Sequence, residues 1–170
     1  HRISITEMSF AGKVVIVTGA SNGIGRRAAE VFAKEGASLV LTGRNADSMK
    51  ETKKLALAAG AVDGKILEVL GNLADKEEPK KIVQAAVDKF GQIDVLVNNA
   101  GGAVAGALGA DFFGADYDPD LEEYDYTMNL NVRAPLVLSK LAAPYLAKTK
   151  GAIINISSIA ARSTSSASVR

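Results

Sequence analysis

The run Thr18 to Gly25, TGASNGIG, sets glycines at positions 19, 23 and 25. Without a Cβ the backbone can turn tightly and come close to a ligand. If a helix follows, its free N–H groups and positive dipole end point at the same place. A pyrophosphate is the group this arrangement suits, although an ordinary tight strand-to-helix turn uses similar residues. Roughly twenty positions on, where a dinucleotide site reads the adenosine ribose, the chain has TGRN, Thr42 to Asn45. A carboxylate there would accept from a 2′-hydroxyl. Instead, Gly43 leaves space and Arg44 adds a planar cation suited to a 2′-phosphate, so NADP(H) is favoured, with NAD(H) as the other possibility. Asp47 does not restore the carboxylate, because it falls beyond the strand end and inside the next helix.

Elements of the right kind surround these residues. KVVIVT, ASLVLT, GKILEVL, IDVLVN and GAIINIS are short β-branched runs, apolar almost throughout, as expected of strands covered on both faces. Helical patterns lie between them at about Asn22 to Glu35, Ala46 to Ala59, Lys76 to Phe90 and Leu121 to Lys148. In the third, Ile82, Val83, Ala86, Val87 and Phe90 share one face. Strand and helix in alternation imply right-handed crossovers and a doubly wound α/β sheet. Gly36, Gly60 and Gly91 stand where left-handed caps would close three of the helices. Pro135 and Pro144 predict a kink or break in the last helix.

Composition removes several alternatives. The 170 residues, 48% apolar, suit one domain, and 20 basic against 19 acidic side chains give a net charge of +1. That balance favours neither nucleic acid nor an anionic membrane. Cysteine is absent and the sole histidine is His1, so thiolate metal sites, a cysteine nucleophile and a histidine base have no candidates. No metal is expected. No stretch approaches the ~20 apolar residues of a membrane span, and the chain reads as soluble and cytoplasmic. The acidic segment from Asp111 to Asp125 reads as a solvated loop and helix start.

NNAG, Asn98 to Gly101, at the end of the fourth strand, completes a set with TGASNGIG and INISS. Together they resemble the short-chain dehydrogenase/reductase family in its classical type, from about Phe10 to the end of the chain. The resemblance implies a Rossmann-type doubly wound parallel sheet, its strands 1–5 in the order 3-2-1-4-5 and its later strands missing. Residues 1–9 then read as an N-terminal extension or a cloning scar, and 10–170 as the N-terminal portion of a single NAD(P)-binding domain. It further implies that Gly19, Ser21, Asn22, Gly23, Ile24 and Gly25 form the cofactor turn, and that Asn99, Ala100 and Gly101 run beside the adenosine-side ribose and phosphates. Asn72, with Leu73 beside it, stands where the family usually has an aspartate that accepts from the adenine amino group; an amide oxygen can still accept.

Two catalytic positions follow from the same resemblance. Asn131 in NLNVRAP matches the active-site asparagine that holds a water in the proton relay, with Asn129 as fallback; a buried asparagine satisfying backbone groups at the Pro135 kink is the plainer reading. Ser158 matches the catalytic serine, whose hydroxyl would donate to a carbonyl oxygen as charge develops there. The family's Tyr-x-x-x-Lys supplies the proton, its lysine lowering a tyrosine pKa that is otherwise about 10. Its spacing would place that tyrosine one residue past Arg170. Tyr117, Tyr124, Tyr126 and Tyr145 precede the serine and read as packing or surface residues.

The expected activity is hydride transfer between NADP(H) and a small-molecule carbonyl or secondary alcohol, by an oligomer assembled through the long helix near Asn131 to Lys148. A chain that stops at Arg170 would lack the proton donor and leave AIINI as an open edge, so a longer enzyme is expected. A non-catalytic dinucleotide-binding or interaction protein on the same scaffold is the alternative, and a dehydratase or epimerase relative is a weaker one.

Overall fold

A computed structural model describes residues 9–102 and 122–159. Its strands are β1 (Val14–Thr18), β2 (Ser38–Gly43), β3 (Ile66–Leu70), β4 (Val95–Asn98) and β5 (Ala152–Asn155), and its helices α1 (Gly23–Lys34), α2 (Ala46–Ala58), α3 (Glu78–Phe90), α4 (Glu122–Met128) and α5 (Ala134–Thr149). All strand pairs are parallel, in the order β3-β2-β1-β4-β5. This is the Rossmann-type sheet that the resemblance implies.

The apolar runs become strands with two buried faces because successive side chains point to opposite sides. Val14 and Ile16 of β1, with Val40 and Leu96, join Ile82, Ala86, Leu138 and Ala142 of α3 and α5 in one core. Val15 and Val17, with Leu39, Leu41 and Val97, join Ala29, Ala33, Met49 and Ala56 of α1 and α2 in the other. α1 and α2 thus cover one face of the sheet, and α3 and α5 the other. Gly36, Gly60 and Gly91 have φ of 85°, 119° and 74°, the left-handed backbone expected where their helices end.

The break near Pro135 has a specific form. A five-residue π-helical turn, Asn129–Arg133, joins α4 to α5, and Ala134 N–H reaches back to Asn129 O in place of the usual i−4 carbonyl. Pro135 brings no N–H and its ring crowds the carbonyl of residue 131, so the widened turn falls directly before it. Pro144 is accommodated inside α5.

At the opposite end of the sheet, Asp94 ties β1 to β4. Its carboxylate, 4% exposed, accepts from Val14 N–H at 2.8 Å, Gln92 Nε2 at 2.7 Å and Lys13 Nζ at 3.1 Å. Burial alone would raise its pKa, but these donors outweigh burial and hold it below the ordinary 3.8.

Candidate functional site

Parallel register brings the carboxyl ends of β1, β2 and β4 to one edge of the sheet, and the strand order reverses between β1 and β4. Ligand crevices of open α/β sheets lie at such a reversal. A cleft of about 470 Å³ opens here. It is lined by Gly19 and Ser21 to Ile24 after β1, Thr42 to Arg44 on β2, Gly71 to Leu73 after β3, Asn99 to Gly101 after β4, and Leu130.

The glycine turn is held by its neighbours. Gly19 has φ +65°, and a Cβ on it would stand 2.8 Å from Ala100 Cα. A Cβ on Gly25 would overlap Gly19 O and Asn99 Nδ2, so the start of α1 packs backbone to backbone against the turn. Asn22 caps α1 in an extended conformation, its carbonyl accepting from Arg26 N–H at 3.1 Å. The Arg26 guanidinium donates to Ser21 O, and at 3.3 Å to Ser48 O, which ties the turn to α2. Ile24 projects to solvent.

Thr18 locks the two sides of the reversal together. Its hydroxyl accepts from Asn99 N and Ala100 N, both at 2.9 Å, and donates to Val97 O at 3.2 Å. Asn99 Nδ2 completes the joint by donating to Thr18 O at 2.9 Å and Gly19 O at 3.2 Å. Asn99 is therefore committed to the backbone of the turn.

At the β2 end, Arg44 Nη1 donates to Tyr126 Oη at 2.6 Å. Among the described residues Arg44 has no ion pair, and no carboxylate lines the cleft. Asp47 lies in α2, as expected, where it pairs with Lys50 at 3.3 Å. Asn72 Oδ1 accepts from Ala74 N–H at 3.2 Å and stands 3.4 Å from Tyr126 Oη, so the oxygen expected to face adenine already has two donors. Leu73 is buried in the core beneath.

Asn131 lies on the π-helical turn. Its Oδ1 accepts from Gly102 N–H at 3.0 Å while its Nδ2 donates to Gly102 O at 2.7 Å and Thr127 O at 2.8 Å. A Cβ on Gly101 would lie 2.8 Å from that Oδ1. These bonds join the loop after β4 to the turn, through an asparagine that is exposed and not buried as the plainer reading has it. Asn129 begins the turn, half-buried. Ser158 follows β5, exposed and outside the lining of the cleft.

The site thus gathers the glycine turn, Arg44, Asn72, Leu73 and Asn99 to Gly101 around one cleft, with Asn131 bonded to its rim and Ser158 apart from it. Sequence reasoning missed Thr18, Thr42, Gly71 and Leu130, and read Tyr126 as a packing or surface residue. The glycine before Asn72 was a usable signal: a Cβ on Gly71 would overlap the Glu78 carboxyl group, which is 5% exposed. The segment from 103 to 121, with Tyr117 and most of the acidic run, and residues 160–170 lie outside the described residues. No described helix is long and apolar enough to cross a membrane, and no cluster of potential metal ligands occurs among the described residues.

The profile of the short chain dehydrogenase family matches residues 13–169. An uncharacterised oxidoreductase of Thermotoga maritima is 37% identical over 89% of this chain and 55% of its own length. Glucose dehydrogenase of Caenorhabditis elegans superposes with a TM-score of 0.75 at 42% identity, over 89% of this chain and 56% of that one. A metagenomic short-chain oxidoreductase solved in complex with NADP gives 0.75 at 32% identity, over 88% and 63%. The chain spans about half the length of the relatives it matches. By its sequence profile, its relatives and its sheet, it belongs to the short-chain dehydrogenase family.

Proposed function

We propose that the chain carries the cofactor half of an NADP(H)-dependent oxidoreductase acting on a carbonyl or secondary alcohol. One observation carries this reading: a cleft at the β1/β4 reversal that joins a glycine turn to a guanidinium that has no ion pair among the described residues. The glycine turn and the α1 N-terminus would hold the pyrophosphate, and Arg44 a 2′-phosphate, where a carboxylate would instead repel it. The NADP complex of a 32%-identical relative supports the same preference. When bound, the nicotinamide supplies or accepts the hydride.

In this reading Ser158 donates to the substrate oxygen as negative charge develops, and Asn131 orders the loop after β4 and the proton relay. The proton donor would come from the segment following Ser158. Val132 and Leu136, 50% and 67% exposed on the last helical region, supply apolar surface for the expected oligomer.

The test compares NADPH with NADH in binding and in turnover of a carbonyl panel, using the full-length protein and Arg44→Asp. The wild type should prefer NADPH, and the variant should lose at least about tenfold of that preference, the worth of one charge-assisted contact. Unchanged NADPH affinity would remove Arg44 from the reading. Dinucleotide binding without turnover would favour a non-catalytic binding protein.

A further inference from the structure

We propose that Tyr126 is a positioning residue of the adenosine end of the cleft, its hydroxyl holding Arg44 ready for a phosphomonoester; this rests on the cofactor reading above. The phenol oxygen accepts from Arg44 Nη1 at 2.6 Å and faces Asn72 Oδ1 at 3.4 Å. Ala74 N–H donates to that same Oδ1 and so fixes which way the amide points. A hydrogen-bonded chain therefore runs from the residue after β2 through α4 to the second residue after β3, joining positions 82 and 54 apart in sequence.

The chemistry of the partner matters as much as the distance. A carboxylate at this place would orient Arg44 but cancel its charge. A neutral phenol orients it and leaves the whole charge to an incoming dianion. Arginine loses much rotamer freedom when it closes on a ligand, and holding it in place beforehand removes part of that loss. Tyr124, two residues earlier, is 58% exposed, whereas Tyr126 is half-buried and bonded to two residues that line the cleft. Only the second tyrosine of YDY meets the site.

The test titrates the full-length protein by calorimetry with adenosine 2′,5′-bisphosphate and with 5′-AMP, which differ in the 2′-phosphate alone. Tyr126→Phe keeps the ring and removes the hydroxyl. It should weaken the bisphosphate about five- to tenfold, the upper part of the range for one ordinary hydrogen bond because Tyr126 acts through Arg44, and change 5′-AMP by less than about twofold. With Arg44→Gln in the background, adding Tyr126→Phe should cost nothing more. Equal losses for both ligands, or no loss for either, would overturn the role of Tyr126 while Arg44→Gln still weakens the bisphosphate. If Arg44→Gln itself leaves the bisphosphate unchanged, the cofactor reading fails and the role of Tyr126 with it.

Discussion

β1 and β5 are both short parallel strands built around β-branched residues, all five positions of β1 and the central Ile153 and Ile154 of β5, yet Val14–Thr18 is buried at every position and Ala152–Asn155 exposed at every position. β1 has strands on both sides and helices over both faces; among the described residues β5 pairs only with β4, and Ile153 and Ile154 are each 40% exposed. Apolar sequence makes a strand, but its neighbours decide whether that strand becomes core. The residues proposed for the site differ in burial in the same way: Thr18 and Asn99, beside β1, are buried or half-buried and bonded to each other, whereas Ser158, beyond β5, is exposed.

The largest effect that would sharpen this contrast is on Ile16, which is fully buried: Ile16→Ala should cost about 2–5 kcal/mol in urea unfolding. Gly25→Ala comes next, because its Cβ meets Gly19 O. It should lose about 1–3 kcal/mol of stability together with dinucleotide affinity, and a variant that binds normally would show the turn to be looser than drawn here.

Asp94→Asn should cost about 1.5–3 kcal/mol at neutral pH, as hydrogen bonds to a charged group do. Because the folded pKa lies below 3.8, the carboxylate's contribution is complete above about pH 4 and disappears as pH falls through the folded value. Denaturation curves of wild type and variant should therefore converge below about pH 4, and a constant gap down to pH 2 would contradict the assignment. The smallest effect belongs to Ile154→Ala in the 170-residue chain, under about 1 kcal/mol given its exposure. A loss equal to that at Ile16 would erase the contrast.

Strand positions and the tight turn after β1 were legible because each rests on local signals, apolar runs of strand length and glycines at element ends, whereas the sheet order came from the family resemblance that the motifs carry. The form of the break at Pro135 was not. Proline announces a lost donor, but the π-helical turn also depends on Asn131 bonding Gly102, 29 residues away. The hydrogen bond between Arg44 and Tyr126 was not legible for a similar reason. Nothing near Tyr126 in sequence indicates a partner 82 residues earlier, so a half-buried phenol on a short helix looks like any surface tyrosine. Asn72 was legible as a departure from the family's aspartate, but the two donors already on its oxygen were not.

The Thr18 joint also bears on the order of folding. Its hydroxyl bonds residues 79 to 82 positions away, whereas β1 meets β2 across only 24, as in the pairing of Val14 with Ser38. Closing the longer loop is the costlier entropic step, so a chain holding only β1, β2 and β3 has the glycine turn but no crevice. A dinucleotide can then grip only molecules in which β4 has already docked. It should slow unfolding while leaving the refolding rate nearly unchanged.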